Sequence, residues 1–371
     1  MNILLSTFYF FYFSIVGVYL IFIPKVLSEM AYNPTQIGII FAAAPLVRFI
    51  LPFLFIRGLE LNVKIFNLAL LIMFLSSIAF YLSISNFYTL LLSNIFLGVG
   101  MSLIIPYIEV ISLQTLGKEK YGKIRLFGSV GFILVALVLV KLLNSYTMAL
   151  YFLIFLTFTT AIVAFIIAKI SVKKEPLDKV KEKNDINLLT DWKLWSGLVF
   201  MQMSFGSFYN FFTIYATDNG ITLDMTIYLW SFGVLVEIAM LYFQGKLLRG
   251  NLLYILQFTT FITAFRWFLV FAYPQNIAIL FFSQSLHALS FALFHSAAIS
   301  YLFAIYKHKS LAQQFFSGIT YGFGGLSGAL IAGYIYDLYP RYLFVSSSIL
   351  AFGAFLFLYF WTKQRSNLGR A

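Results

Sequence analysis

Residues 3–27 read ILLSTFYFFYFSIVGVYLIFIPKVL, an apolar run in which Lys25 is the only charged side chain. About 20 mostly apolar residues in a helix are enough to cross the hydrocarbon core of a bilayer. The run lacks the basic beginning and the A-x-A cleavage pattern of a secretory signal peptide. It therefore predicts a first transmembrane helix rather than a removable leader.

The whole chain shares this apolar character. Hydrophobic residues make up 61% of the 371 residues and charged residues 10%, against about 45–50% and about 25% in a soluble domain. A water-soluble fold has no means of burying so much apolar surface, so we expect the lipid bilayer as a partner. The net charge of +12 does not indicate nucleic-acid binding, because the basic residues lie in short tracts between apolar runs, where they orient helices.

Two features of the composition limit the chemistry. The chain contains no cysteine, which excludes disulfides, thiolate metal sites and cysteine nucleophiles. His287 and His295 lie on one predicted helix with no third ligand residue nearby. We therefore predict neither a metal site nor a bound cofactor.

Further apolar runs of similar length follow the first one. The predicted helices span residues 4–27, 36–56, 65–84, 87–113, 124–143, 147–169, 194–217, 226–245, 251–272, 276–304, 311–338 and 341–361. An even number of crossings places both termini on the same side of the membrane.

The positive-inside rule tests this count, because a missed or invented helix would scramble the alternation of basic residues between loops. Of the 25 Lys and Arg residues, Lys25, Lys141 and Arg341 fall on one side, and Arg48 and Arg266 fall inside helices. The remaining 20 lie on the other side, which we assign to the cytoplasm together with both termini. The sequence thus predicts an all-α, multi-pass protein of the bacterial inner membrane with twelve transmembrane helices.

The two halves of the chain carry similar loops at nearly fixed offsets. Lys118-Glu119-Lys120 and Lys307-His308-Lys309 are 189 residues apart, and Arg57-Gly58 and Gln244-Gly245 are 187 residues apart. The polar segment 170–193 lies between these halves and predicts a cytoplasmic linker. We expect an N-terminal six-helix bundle over residues 1–169 and a C-terminal bundle over 194–371. Two such halves in the same orientation form a parallel repeat, with substrate bound near the middle of the membrane.

Small residues on the eleventh predicted helix recur at spacings of three and four. Such stripes let helix backbones approach closely. The face expected to do so consists of Gly318, Gly322, Gly325, Ala329 and Ala332. On the fifth predicted helix, Gly128 and Gly131 are expected to play the same packing role.

Ionisable side chains inside the predicted helices are the most informative residues. Each charge at mid-bilayer costs about 2.5–3.5 kcal/mol on insertion scales, so it tends to face a cavity or a partner. Glu237 lies well inside the eighth helix. An apolar site favours its neutral form and a nearby Arg favours its ionised form, so Glu237 is a candidate for proton exchange. The alternative is a static ion pair with Arg266 in the next helix, while His287 is expected to form hydrogen bonds in the cavity.

A second pair of charges flanks the turn between the fourth and fifth helices. In one interpretation Glu109 and Arg125 form a switchable pair, in which the planar guanidinium of Arg125 binds the Glu109 carboxylate. In the other, Arg125 is one more basic residue that anchors the helix at the cytoplasmic side. Composition alone slightly favours the anchor. Arg48 either holds an anionic substrate or pairs with Glu237, because the two occupy nearly matching repeat positions.

Aromatic residues make up 20% of the chain, and most are expected to face lipid or the headgroup regions. The runs Phe8–Phe13 and Phe205–Phe212 should still place one or two rings against a substrate cavity. Tyr12 and Tyr209 are the candidates.

Several motifs over most of the chain are similar to those of one known family. They are Phe10-Phe11-Tyr12-Phe13, Gly38-Ile39-Ile40-Phe41-Ala42-Ala43, Pro106-Tyr107-Ile108-Glu109, Tyr121-Gly122-Lys123-Ile124-Arg125-Leu126-Phe127-Gly128, Glu237, Arg266-Trp267 and Leu286-His287. They resemble the group of the major facilitator superfamily that contains lactose permease, phenylpropionate permease and nucleoside/proton symporters. The resemblance implies the major facilitator fold.

The resemblance also implies roles for individual residues. Glu109 and Arg125 would be the charge pair that contacts substrate, which overturns the preference for Arg125 as an anchor. Phe132 falls where the sugar permease stacks a Trp on the galactose ring, so it would be a stacking surface. The implied substrate and proton-coupling network consists of Glu237, Arg266 and His287.

Departures from lactose permease argue against sugar specificity. Ser290 stands where that protein has the carboxylate that carries the proton, and Met240 stands where an Asn contacts sugar. Gln284 replaces the Lys of a buried ion pair. Arg48 and the neighbouring Pro45 look more like the phenylpropionate permease branch.

We therefore expect a monomeric secondary transporter that carries a small aromatic or weakly polar organic solute with a proton as the coupling ion. A nucleoside or sugar/proton symporter is the near alternative, followed by a drug-type proton antiporter. An integral membrane enzyme or a receptor is disfavoured, because the predicted external loops are short and only a short tail follows Trp361. A channel is disfavoured because no repeated filter-like segment is visible.

Overall fold

The computed structural model describes residues 1–57, 61–142, 145–171, 186–307 and 309–367. Within these residues the regular secondary structure is helical, with no strand. The chain divides into two compact units, Met1–Lys179 and Val180–Ala371. Most of the predicted linker at 170–193 lies outside the described residues, so that linker and the bundle limits stay predictions.

Unit 1 contains six long apolar helices in its described part. They are α1 Asn2–Glu29, α2 Pro34–Ile56, α3 Val63–Leu82, α4 Phe87–Ser112, α5 Lys123–Leu142 and α6 Tyr146–Ser171. The backbone of α1 widens to a π-helix over Val18–Phe22.

The helical backbone is continuous from Phe87 to Leu142, yet the chain reverses direction within it. A straight helix would separate Glu109 and Tyr121 by about 18 Å along its axis. Instead, the Tyr121 hydroxyl donates to Oε1 of Glu109 at 3.1 Å. Tyr9 of α1 contacts both sides of the reversal, with its hydroxyl 3.1 Å from Ser112 Oγ and its ring 6.3 Å from the Tyr121 ring. The segment therefore supplies two crossings, as predicted.

Unit 2 begins with an interrupted helix. Two helices of 13 residues each, α7a Trp192–Ser204 and α7b Gly206–Asp218, are joined at Phe205. The helices that follow are α8 Leu223–Phe243, α9 Leu252–Ala272, α10 Ile277–Ile305, α11 Leu311–Leu338 and α12 Leu343–Asn367. The backbone is a π-helix over Ala288–Leu293 in α10 and over Phe316–Gly324 in α11.

Across the described residues, eleven helices are long and apolar enough to cross a membrane. The crossing predicted at 194–217 corresponds to α7a and α7b, each of which is too short to cross alone. The chain nevertheless stays helical through the break, because the Tyr209 amide donates to the Phe205 carbonyl at 2.9 Å. Phe205 is thus a bend inside the seventh predicted crossing.

Polar residues start several of these helices. The side-chain oxygens of Asn62, Thr222, Asn251 and Asn276 accept hydrogen bonds from backbone N–H groups in the first turns of α3, α8, α9 and α10. Such caps satisfy donors that have no partner inside the helix. They set the helix starts within a few residues of the predicted ones.

The tightest helix contacts involve glycine in both units. A Cβ atom added to Gly131 of α5 would collide with the Phe10 carbonyl oxygen of α1, and Ser14 Oγ donates to the Gly131 carbonyl at 3.0 Å. In unit 2, a Cβ atom on Gly206 of α7b would collide with the backbone of Gly328 in α11. The first and fifth helices of each unit therefore pack in the same way, as a repeat requires.

The predicted small-residue stripe on α11 is buried at Gly318, Gly322, Ala329 and Ala332, and two glycines outside it make close backbone contacts. Gly324 and Gly328 face the backbone of α7a, and a Cβ atom on Gly328 would lie 2.6 Å from the Met203 carbonyl oxygen. The predicted stripe had Gly325 and Ala329 at the adjacent positions. The prediction assumed a regular α-helical period, and the π-helix over Phe316–Gly324 breaks that period.

Candidate functional site

A buried arginine organises the interior of unit 2. Arg266 of α9 is 0% exposed. Its Nη1 atom lies 2.9 Å from His287 Nδ1 and 2.9 Å from Ser290 Oγ, and its Nη2 atom donates to Gln284 Oε1 at 2.9 Å. All three partners lie on α10. We call Arg266, Gln284, His287, Ser290 and Glu237 the arginine network.

Aromatic rings surround the same guanidinium. Its central carbon lies 4.2 Å from the Trp267 ring centroid and 4.7 Å from that of Phe208. Phe205, at the bend of the seventh crossing, lies 5.9 Å away. The negative faces of aromatic rings attract a desolvated cation, so these contacts partly offset the burial of the positive charge.

The hydrogen bonds fix the protonation of His287. Every N–H group of an arginine is a donor, so His287 Nδ1 must act as the acceptor towards Arg266. A neutral imidazole with a bare Nδ1 atom carries its proton on Nε2. That N–H group faces Glu237 Oε2 at 3.4 Å. His287 therefore links the arginine to the carboxylate, and this bridge takes the place of the direct Glu237–Arg266 ion pair that was the alternative interpretation of the sequence.

The network becomes more accessible along its length. Arg266 is completely buried, the His287 side chain is 7% exposed, and that of Glu237 is 17% exposed. The contact of 3.4 Å between Glu237 and His287 is longer than a typical N–H···O hydrogen bond. Glu237 is therefore the most accessible ionisable member of the network.

The local sequence explains how α10 presents three partners to one arginine. Gln284, His287 and Ser290 recur every three residues, which keeps them on neighbouring parts of one helix face. The π-helix begins directly after His287, at Ala288, and π turns are frequent at functional sites. On α8, Gly233 leaves room for α10, because a Cβ atom there would lie 3.2 Å from Gln284 Oε1.

Two donors of the network have no hydrogen-bond partner. Both Arg266 Nε and Gln284 Nε2 are buried without an acceptor. A buried donor without a partner is destabilising by about 1–3 kcal/mol. The network therefore retains hydrogen-bonding capacity in this conformation.

In unit 1, Glu109 and Arg125 each have a different partner. Glu109 accepts from the Tyr121 hydroxyl, and burial followed by the nearby carboxylate raises the pKa of Tyr121, which keeps this phenol protonated. The Arg125 guanidinium lies over the Phe13 ring at 3.7 Å. It is close enough to Glu109 for electrostatic attraction, but the two lack the close salt bridge that a charge pair implies.

The other predicted site residues of unit 1 differ in accessibility. Arg48 of α2 is exposed and acts electrostatically on Tyr12. Tyr12 is 5% exposed and donates to the Met101 carbonyl at 2.9 Å. Phe132 is 8% exposed and packs beside Gly17 of α1, so its ring offers little free surface for stacking in this conformation.

In unit 2, Tyr209 is half-buried and stacks on Phe205 with ring centroids 5.4 Å apart. Phe205 and Phe208, rather than Tyr209, place their rings beside Arg266. His295, one α10 residue of interest from the sequence, is exposed and lies 2.6 Å from the Tyr321 hydroxyl through Nδ1. The structure thus brings together Glu237, Arg266 and His287 and leaves His295 in a separate contact.

From the sequence, Gln284 and Ser290 were identified only as positions that differ from lactose permease. In the structure both hold the arginine. The signal that identifies them is their spacing of three residues on either side of His287. It becomes informative only once the position of Arg266 opposite that face is known.

The assigned tautomer of His287 has a spectroscopic consequence. In protein labelled with ¹⁵N-histidine at neutral pH, His287 should show a protonated Nε2 and a bare Nδ1 signal by solid-state NMR. His287→Gln identifies the resonance, because the chain has only 3 histidines. A signal with both nitrogens protonated would contradict the Arg266 hydrogen bond.

The sequence of the chain is similar to those of known transporters. A family model described as the MFS_1 like family matches residues 2–346. The "Probable 3-phenylpropionic acid transporter" of Escherichia coli (strain K12) is 24% identical over 366 residues, covering 93% of this chain and 94% of that protein. The "Uncharacterized transporter YwbF" of Bacillus subtilis (strain 168) is 28% identical over 283 residues, covering 72% of this chain and 70% of that protein.

Among solved structures, the nucleoside transporter NupG matches with a TM-score of 0.72 at 15% identity. The match covers 96% of this chain and 98% of that one. At this identity the likeness concerns the fold alone, and it agrees with the helical architecture described above.

Proposed function

Because the chain belongs to the MFS_1 like family and is a multi-pass transporter rather than an enzyme, we propose that it carries a small organic solute together with a proton. The proton is the coupling ion, and transport proceeds by alternating access. The observation that carries this proposal is the connection from half-buried Glu237 through His287 to fully buried Arg266.

The network links a proton to a change in hydrogen bonding. If Glu237 takes up a proton, its carboxyl group loses the negative charge that attracts the Nε2–H group of His287 and gains a hydroxyl donor of its own. The imidazole is then free to turn, which breaks the hydrogen bond between its Nδ1 atom and Arg266. Protonation of Glu237 thereby changes the hydrogen-bond partners of the buried Arg266 side chain.

Such a change couples to transport only if substrate binds the two arrangements with different affinity. The unpartnered Arg266 Nε and Gln284 Nε2 donors support this condition, because an arrangement that supplies them with acceptors is favoured. Protonation and substrate binding then stabilise the same arrangement, which is the requirement for symport.

The proposed solute is a small aromatic acid or a similarly weakly polar organic molecule. The relative from Escherichia coli is named for 3-phenylpropionic acid, and exposed Arg48 supplies a cation for a carboxylate. Glu109 and Arg125 are proposed as further substrate contacts. A substrate group can replace the Tyr121 hydroxyl on Glu109 or the Phe13 ring on Arg125. Nucleosides are the first alternative to test.

We place the transporter in a bacterial inner membrane as a monomer with both termini in the cytoplasm. The distribution of Lys and Arg between the loops supports this orientation. The orientation can be tested by accessibility labelling of single cysteines introduced into the chain. Because the native sequence contains no cysteine, only the introduced residue reacts with the label.

The experiment for the proposed function measures external pH beside cells or proteoliposomes that contain the protein. Addition of 3-phenylpropionate should make the medium more alkaline as protons enter with the solute. Glu237→Gln removes the exchangeable proton while keeping the side-chain shape, so this alkalinisation should disappear. Glu29→Gln, the same substitution at an exposed position at the end of α1, is the matched control and should behave like the wild type.

Two outcomes would count against the proposal. Alkalinisation that persists in Glu237→Gln removes this carboxylate from proton coupling. Folded wild-type protein that gives no pH change with 3-phenylpropionate, nucleosides or galactosides contradicts symport of these solute classes.

A further inference from the structure

A cavity of about 580 Å³ lies at one end of unit 2, where α9 begins and α10 and α12 end. Its lining includes Tyr254 and Gln257 of α9, Tyr301 of α10, and Lys363 and Arg365 of α12. No member of the arginine network lines it. The cavity is therefore a feature that transport of the solute does not explain.

The charge of this cavity is positive. Lys363 and Arg365 both line it, and the described lining contains no Asp or Glu. Arg365 Nη1 donates to the Tyr301 hydroxyl at 3.0 Å, which holds the guanidinium against the cavity wall. The Lys363 ammonium lies 4.8 Å from the Tyr359 ring centroid. Lys363 and Arg365 are the charged residues of the described lining, and two cations there favour an anionic ligand.

The position of the cavity fits the headgroup level of a membrane. It lies at the ends of three apolar helices that are long enough to cross. Tyr254 and Tyr359 beside it are 63% and 38% exposed. Tyr residues concentrate at membrane–water interfaces, and basic residues there attract anionic lipids.

An apolar groove continues along the same pair of helices. It has a volume of about 320 Å³ and is lined by Phe261, Phe265 and Phe268 of α9 and by Ile349 and Phe352 of α12. Phe261, Phe265 and Phe268 follow Tyr254 by 7, 11 and 14 residues, so they lie on the same side of the helix, about two to four turns deeper. Such an apolar groove does not bind a free anion, whereas an acyl chain fits it.

We propose that unit 2 binds an anionic phospholipid along α9 and α12. The headgroup phosphate lies against Lys363 and Arg365, and one acyl chain lies in the groove beside Phe265 and Phe352. The bound lipid holds the ends of α9 and α12 together at the surface that the positive-inside rule assigns to the cytoplasm.

The test uses the purified full-length protein in a neutral detergent. Native mass spectrometry with added phosphatidylglycerol should detect specific binding, while zwitterionic phosphatidylcholine should bind much more weakly. Lys363→Gln should lower the apparent affinity for phosphatidylglycerol about fivefold, the effect expected for one basic residue at a membrane surface. Lys363 is exposed, so this change leaves the packing of α12 intact.

Lys246→Gln is the matched control, because Lys246 is an exposed cation before α9 that does not line the cavity. It should leave lipid binding unchanged. Inorganic phosphate and glycerol 3-phosphate, which lack acyl chains, should not displace the lipid at millimolar concentration. Equal competition by these probes would make the cavity a soluble-anion site, and unchanged phosphatidylglycerol binding in Lys363→Gln would remove the cavity from lipid binding altogether.

Discussion

Replacing Arg266 by Lys should reduce solute-driven proton uptake by at least about tenfold, although the positive charge is kept. Arg266 contacts three side chains from two different nitrogens, and a single ammonium group cannot reproduce this fork. Each lost hydrogen bond to a charged group contributes about 1.5–3 kcal/mol, and about 1.4 kcal/mol corresponds to tenfold. The measurement is the initial rate of external alkalinisation, normalised to the amount of protein in the membrane.

The matched control is Arg249→Lys, the same substitution at an exposed position before α9, which should transport normally. Size-exclusion chromatography in detergent separates a transport defect from misfolding, since the Arg266→Lys protein should still elute as a single species. Transport at the wild-type rate in a correctly folded Arg266→Lys protein would show that charge alone matters and that the hydrogen-bonded fork does not.

Hydropathy predicted the long apolar helices well, because it depends on composition averaged over about 20 residues. The family match and the helical architecture confirm the predicted fold. The break at Phe205 was not predicted. No proline marks it, and the apolar character of the sequence continues through it, so hydropathy cannot detect a bend that depends on packing against α11.

The sequence predicted which residues belong to the candidate site, but not which of them contact one another. Glu237, Arg266 and His287 were singled out because ionisable residues inside a membrane need a cavity or a partner. That His287 lies between the other two depends on the rotation of α8, α9 and α10 about their axes, which one sequence does not specify. Similarly, the resemblance suggested a Glu109–Arg125 pair, whereas Tyr121 and Phe13 are the close partners of these two residues.

Gly206→Ala should lower the thermal stability of the protein in detergent by several degrees. The added methyl group would collide with the backbone of Gly328, and backbone atoms cannot move aside as a flexible side chain does. Overpacking of this kind is destabilising by about 1–3 kcal/mol, and for 150–250 residues each kcal/mol lowers Tm by about 2–4 °C. The measurement is the melting temperature followed by intrinsic fluorescence.

Gly245→Ala is the matched control, because no atom lies within 4 Å of the Cβ position at Gly245. There the loss of unfolded-state freedom is the main effect, so the melting temperature should stay constant or rise slightly. Gly328→Ala addresses the same contact from α11, where the methyl group would lie 2.6 Å from the Met203 carbonyl oxygen. The two substitutions at the contact should therefore lower stability by less than the sum of their separate effects, because the first already forces α7b and α11 apart. Wild-type melting of Gly206→Ala would contradict the close approach of these helices, and with it the structural reason for a glycine directly after the bend at Phe205.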